Sequence, residues 1–374
     1  MILEDESGRI LVGGALALQA AQLVTGIVVA LRGSVAGDGK FHASDMLTMG
    51  QAGTNETTTQ FPVTNPTGAV APNTSSSFVL FVSGLSLGGG NAKTTLALQM
   101  LADFLAGRLG SNDDAQLASR VTRVIVCGNS VVSTEVLQAG SVSKDAPSWV
   151  ANSKANAAKL AQENIAPIRE FDALLAQALS SVPVDLMPGS DDPSSLTLPQ
   201  QPLHPCLLPQ SSRYSSLSLV TNPNESRVGG LLLLGHSGAP VADIVRQTLL
   251  VPSTSGTEMA VDGAGEGEGS KDAAGRHFLQ VLHNTLRWGH LAPTGPDSLP
   301  FYPFVESDPF VLNPAAMPHV LFAGNAPSFA TEMGETLDGH KYRVLAVPSF
   351  ASTGTVVLLD LANLDVSTLD FGVN

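Results

Sequence analysis

The chain has 374 residues, 43% hydrophobic and 14% charged, with a formal net charge of −14 and a pI near 4.8. That composition is globular, and the length allows a sizeable core and two domains. A surface this acidic repels a phosphate backbone, and no Lys/Arg cluster offsets it, which weighs against stand-alone nucleic-acid binding.

The two cysteines, Cys127 and Cys206, cannot build a Cys-rich metal site, and nothing points to an oxidising compartment. Ile10 to Leu31 is uncharged for 22 residues, about a membrane span. Gln19, Gln22, Thr25 and the glycines dilute it, and Glu4-Asp5-Glu6 precede it where a signal peptide carries positive charge. The β-branched run Val24–Val29, with Gly37-Asp38-Gly39 as a turn, reads as strands and a hairpin.

Residues 1–50 therefore read as short strands of a small β-domain. Residues 51–77, rich in Thr, Asn, Pro, Gly and Ser, read as a linker or long surface loop. From Phe78 the pattern is α/β: a strand at 78–83, a helix at about 93–109, and a strand at Val121–Cys127. A long helical stretch follows at about 153–180, which Pro167 is expected to kink or break, then a strand at 182–187. Beyond Gly189 the helices thin out. Strand candidates follow at 217–222, 228–234, 319–323, 342–348 and 354–361, and the acidic, glycine-rich stretch 252–273 reads as a disordered insertion. Strand after strand late in the chain implies two sheets packed face to face with helices outside.

Three catalytic motifs fail on spacing. FVLFVSGLSLGGGNAKTTLAL (78–98) outlines a strand, a glycine loop and a helix, but Leu87 and Ala92 occupy the two glycine positions that a Walker loop needs before Lys93-Thr94. Leu234-Gly-His-Ser-Gly238 approaches a hydrolase elbow, yet its second glycine arrives one residue early and no helix-forming run is evident behind it. The eight histidines include no metal-ligand pair at i, i+4 on a clear helix.

Loops at strand ends are the informative pattern, because ligands collect there in α/β sheets. They read Ser83-Gly84-Leu85-Ser86-Leu87-Gly88, Cys127-Gly128-Asn129-Ser130, Pro188-Gly189-Ser190-Asp191-Asp192-Pro193 and Ala323-Gly324-Asn325-Ala326-Pro327. This order resembles the calcineurin-like metallophosphoesterases, whose loops read D-x-H, G-D-x-x-D, G-N-H-[DE] and G-H-x-H and hold two metal ions. The resemblance keeps the glycines and loses the ligands. Gly84 and Ser86 stand at the first aspartate and histidine, Asn129 at the bridging aspartate, and Val132 near the next acidic position. Ser190 and Asp191 replace an Asn-His pair, Asn325 and Pro327 replace the last two histidines, and only Asp192 stays acidic. Such a set should bind no metal and need no cofactor. The enzymatic alternative is a residual metal-dependent phosphoesterase or 3′–5′ nuclease using Asp192, Asp191, His236 and His204.

An inactive phosphoesterase behind a small β-domain resembles the B-type regulatory subunits of eukaryotic replicative DNA polymerases. Leu196–Pro209 (LTLPQQPLHPCLLP), Leu219–Pro223, His290–Asp297 (HLAPTGPD), Tyr302-Pro-Phe304 and Asp308-Pro-Phe310 look like the delta-type second subunits. Leu3–Glu6, Leu23–Gly26 and Gly33–Phe41 look like the later part of that family's OB-fold, whose opening strands are absent from this sequence as in an incomplete gene model. An open barrel of that kind should be unstable alone.

The resemblance implies an α+β protein: a partial OB-fold barrel over 1–50, a linker over 51–77, and an inactive phosphoesterase-like two-sheet sandwich flanked by helices over 78–374. It further implies a non-catalytic, nuclear scaffold of replication and repair synthesis. Its implied partners are the cysteine-rich C-terminal module of the polymerase delta catalytic subunit and a third subunit, with DNA reached only through the complex.

Overall fold

A computed structural model describes residues 2–13, 23–37, 39–49, 63–64, 77–132, 154–249, 268–295, 297–304, 307–312, 317–336 and 339–372. Among the described residues the protein is mixed α+β with three sheets.

The N-terminal sheet comprises β1 (Ile2–Asp5), β2 (Gly8–Gly13), β3 (Val29–Val35) and β4 (Phe41–Thr48), ordered β1-β2-β4-β3. The expected hairpin is β3–β4, antiparallel with a bulge between Arg32 and Gly33. Both sides of the uncharged run are strand, and residues 14–22 between them lie outside the described residues. No described helix is long and apolar enough to cross a membrane.

Of the expected linker, Val63–Thr64 (β5) pairs parallel with a later strand at Glu225 and Ser226, so this piece joins a sheet edge. Most of 51–77 is outside the described residues. The main body then alternates: β6 (Phe78–Val82), α1 (Ala92–Leu105), α2 (Asn112–Ser119), β7 (Val121–Cys127), α3 (Lys154–Leu179), β8 (Val184–Met187) and β9 (Leu217–Leu219). Of the kink or break expected at Pro167, the break does not occur: the helix α3 runs continuously through that residue. Its later turns bury Phe171, Leu175 and Leu179 against the sheet, and such packing outweighs one lost backbone bond.

The expected strand 228–234 is a hairpin instead. β10 (Asn224–Val228) turns at Gly229-Gly230 into β11 (Leu231–His236). Helices do not thin out either. α4 (Ala239–Leu249) and α5 (Glu268–Trp288) follow, and residues 268–273, expected within the acidic insertion, are the first turns of α5; residues 250–267 are outside the described residues. Phe278, Leu282 and Leu286 give α5 one buried face in an otherwise polar sequence. The chain closes with β12 (Val320–Ala326), β13 (Ala330–Glu335), β14 (Lys341–Pro348), α6 (Phe350–Thr353), β15 (Thr355–Asp360) and β16 (Val366–Asp370).

One six-stranded sheet is ordered β16-β15-β6-β7-β8-β9 and the other β13-β14-β12-β11-β10-β5. Side chains alternate across each sheet. Leu80, Val124 and Leu186 meet α1 and α3 on one face, while Leu234, Leu321 and Val344 meet α4 and α5 on the other sheet. The opposite faces share a third cluster, in which Val79, Phe81 and Ile125 join Leu233, Phe322, Leu345 and Val347. The Phe81 and Phe322 rings meet there at 5.0 Å. Arg123 and Asp185, both buried, are paired across β7 and β8.

Candidate functional site

β6, β7 and β8 are mutually parallel, as are β11, β12 and β14, so their carboxyl ends deliver six loops to one place. There the loops pack backbone on backbone. The Gly84 amide donates to the Gly128 carbonyl at 2.9 Å, and Ser86 and Leu87 donate to Asn129 and Ser130 at 3.1 Å. A methyl group on Gly128 would lie 2.9 Å from the Cα of Gly189, and one on Gly324 would overlap the Cys127 carbonyl. Gly128 also has φ +84°, whereas Gly189 and Gly324 are not left-handed; those two positions need the missing side chain for closeness alone.

Neutral side chains fill the remaining space. Asn325 donates through Nδ2 to the Ser237 carbonyl at 2.8 Å, and its backbone N–H donates to Ser83 Oγ at 2.9 Å. Asn129 Oδ1 accepts from the Asp191 amide at 3.3 Å and the Ser190 hydroxyl at 3.4 Å. Ser86, Asn129 and Asn325 have φ of 48°, 56° and 56°, a region that non-glycine residues seldom occupy and that clusters at functional sites.

Asp192 is buried and acts as a staple. Its Oδ1 accepts from the Ser130 and Val131 amides at 2.8 and 3.1 Å, and its Oδ2 accepts from the Gly189 amide at 2.8 Å. Burial raises its pKa to about 6, against the opposing pull of these backbone donors. Asp191, half-buried, is also raised by burial. His236 is 1% exposed. Its Nδ1 accepts from the Gly238 amide at 3.0 Å, its Nε2 has no partner, and burial lowers its pKa to about 4.

Thus Gly84, Ser86, Asn129, Ser190, Asp191, Asp192 and Asn325 belong to one loop cluster. Pro327 is exposed just beyond β12. Val132 is half-buried and pairs with Leu87 through its amide. His204 is exposed, its Nδ1 accepting from the Cys206 amide at 3.2 Å in a turn of its own.

This donor set does not fit two divalent ions: Gly84 offers nothing, and both Asp192 oxygens already accept amide protons. Among the described residues, no group of three or more His, Cys, Asp or Glu is arranged to hold a metal.

A helix does follow Gly238 directly, contrary to the sequence expectation, because α4 buries Val241 and Ile244. Ser237 Oγ nonetheless is 2.7 Å from Asn222 Nδ2 inside the core, and it accepts that hydrogen bond. At the other tested loop, Asn91 caps α1 by accepting from the Lys93 amide at 3.1 Å.

Sequence reasoning missed the second ring of the cluster. Asn222 Nδ2 also donates to Gln200 Oε1 at 2.7 Å, and Gln200 Nε2 donates to the Gly189 carbonyl at 3.2 Å. Ser349 Oγ donates to the Gly84 carbonyl at 3.3 Å. The signals for Gln200 and Asn222 lie in the LTLPQQP and TNP strings; Ser349 has none.

Comparison with known proteins matches the family profile of the B subunits of DNA polymerase alpha/epsilon at residues 79–331. The profile of the DNA polymerase delta subunit OB-fold domain matches residues 1–46. The DNA polymerase delta small subunit of Oryza sativa is 35% identical over 100% of this chain and 74% of its own length. The DNA polymerase delta subunit 2 of Drosophila melanogaster is 35% identical over 100% of this chain and 74% of its own. For the small subunit of Saccharomyces cerevisiae the figures are 33%, 100% and 70%. The chain belongs to the family of DNA polymerase delta small subunits, non-catalytic accessory subunits of a replicative polymerase.

Proposed function

We propose that this accessory subunit is a rigid adaptor. It joins the cysteine-rich C-terminal module of the polymerase delta catalytic subunit to a third subunit, in the nucleus, during replication and repair synthesis. The adaptor has OB-fold strands at 1–50, a linking segment at 51–77, and a two-sheet, phosphoesterase-like sandwich at 78–374. Its strand-end loops are a former two-metal site whose ligand positions are now Gly84, Ser86, Asn129, Ser190, Asp191, Asp192, Asn325 and Pro327.

The observation that carries this reading is Asp192. The one position that keeps its acidic character spends both oxygens on amides from two loops, which turns a catalytic position into a fastening. The left-handed Ser86, Asn129 and Asn325 support it as well, since backbone strain persists where a chemical demand once set it. An acidic chain suits basic partners.

The test is co-expression of the full chain with the catalytic subunit's C-terminal module, followed by size-exclusion chromatography. Stable co-elution is expected. Separate elution of two folded proteins would count decisively against an adaptor.

A further inference from the structure

On a chain of net charge −14, one patch of the second six-stranded sheet gathers basic side chains, Arg227, His319 and His340. Its outer face carries Leu321, Tyr342 and Val344 under α4 and α5. By alternation, His319, just before β12, and His340, just before β14, lie on that same face at its lower edge. Arg227 joins them. It pairs with Leu232 across β10 and β11, while its neighbour Val228 points to the opposite, inter-sheet cluster.

The two rings are held in place. His319 Nδ1 accepts from the Leu232 amide at 3.0 Å, which leaves its Nε2 as a proton donor. His340 is anchored through its amide to Thr336 Oγ1 at 3.1 Å, and the rings meet edge to face at 4.9 Å. Arg227, half-buried, makes no ion pair among the described residues.

Burial first, then His340 and Arg227, hold the His319 pKa below its ordinary value. Glu225, two residues along β10 on the same face, is buried and engaged through an interaction of its own, with its Oε1 outside any hydrogen bond, and Glu335 lies beside the turn that carries His340. Asp365 lies 3.7 Å from Arg343, whose place two residues before Leu345 puts it on the inter-sheet face.

We infer that Arg227, His319 and His340 form a binding site for a phosphate-type oxyanion, a group that no part of the adaptor reading supplies. A guanidinium and an oriented imidazole N–H are the donors such an anion takes, and its charge offsets the effect of burial, Arg227 and His340 that disfavours a protonated His319. The inference is independent of how the strand-end loops are read.

Sulfate, whose charge is constant over the range, is the probe, with chloride at matched ionic strength as the control. Imidazole nitrogen signals of the full chain are followed by NMR, with His319→Gln assigning the resonance. Saturable sulfate-specific shifts at His319 and His340 are expected, and bound sulfate should raise the apparent pKa of His319. Arg227→Gln, a half-exposed site that a folded variant tolerates, should weaken binding roughly tenfold or more, the loss of one charge-assisted hydrogen bond. A second arm compares free phosphate with a phosphoserine peptide. Tighter binding of the peptide assigns the anion to a modified partner chain, and equal binding assigns it to the free ion; either supports the site. Shifts that track ionic strength alone, or that saturate equally in Arg227→Gln, overturn it.

Discussion

Gly26 lies so close to the carbonyl group of Pro293 that any side chain at residue 26 would overlap it. Around this contact Val24 and Ile27 pack on the cluster beneath α4 and α5, so the N-terminal sheet is docked on the main body through a backbone-to-backbone joint. Gly26 also has φ +88°, which L side chains rarely adopt. Gly26→Ala should therefore cost about 2 kcal/mol or more and release the N-terminal sheet first. Hydrogen exchange gives the readout: faster exchange in β3 and β4 with β6, β7 and β12 unchanged. Uniform protection would refute the joint.

Asp192→Ala strands three buried amides contributed by two loops. Roughly 3 kcal/mol or more of stability should disappear in chemical denaturation, with Asp192→Asn intermediate because it keeps one acceptor oxygen. A loss under about 1 kcal/mol for the alanine variant is incompatible with the fastening role.

His236 and Asp192 should pull stability in opposite directions below neutrality. The folded chain keeps His236 neutral down to about pH 4, whereas its ordinary value is 6.5. Between those values the unfolded state holds the extra proton, so acid withdraws up to roughly 3 kcal/mol through this group. Asp192 is protonated near pH 6 when folded and near 3.8 otherwise. Its contribution is present at low pH and is lost as pH rises through about 6. The wild-type profile should be nearly flat between about pH 4 and 6. Relative to it, His236→Gln should gain stability as the pH falls, and Asp192→Asn should lose it. Parallel profiles for all three proteins would dismiss both assignments.

An apolar cavity of about 60 Å³ lies between the first six-stranded sheet and helices α1 and α3, lined by Leu98, Leu101, Ala102, Phe171 and Ala178 among others. Ala178→Val should fill part of it and raise stability by about 1 kcal/mol. Thermal denaturation is sufficient, and an unchanged or lowered midpoint would mean that the space cannot take the added methyls.

The strands at 78–82, 121–127, 341–348 and 355–360 are legible because each is a β-branched or leucine-rich run buried on both faces. The edge strands β13 and β16 are not, since about half their residues face water, most of them with polar side chains. The helices α4 and α5 escape for a related reason. Only the docked sheet shows which few apolar residues in APVADIVRQTL and EGSKDAAGRHFLQVLHNTLRW form a buried face.

For the site, the sequence determined the glycines at the strand ends, the neutral side chains beside them, and the family, all properties of single positions or short strings. Tertiary structure alone decided that Asp192 fastens loops, that Asn222, Gln200, Ser237 and Ser349 complete their cluster, and that Gly26 meets Pro293. These contacts join residues separated by up to 267 positions, as between Gly26 and Pro293. Local chemistry specifies what each group can donate or accept, but only the packed sheets bring the two groups of each pair within a hydrogen bond of one another.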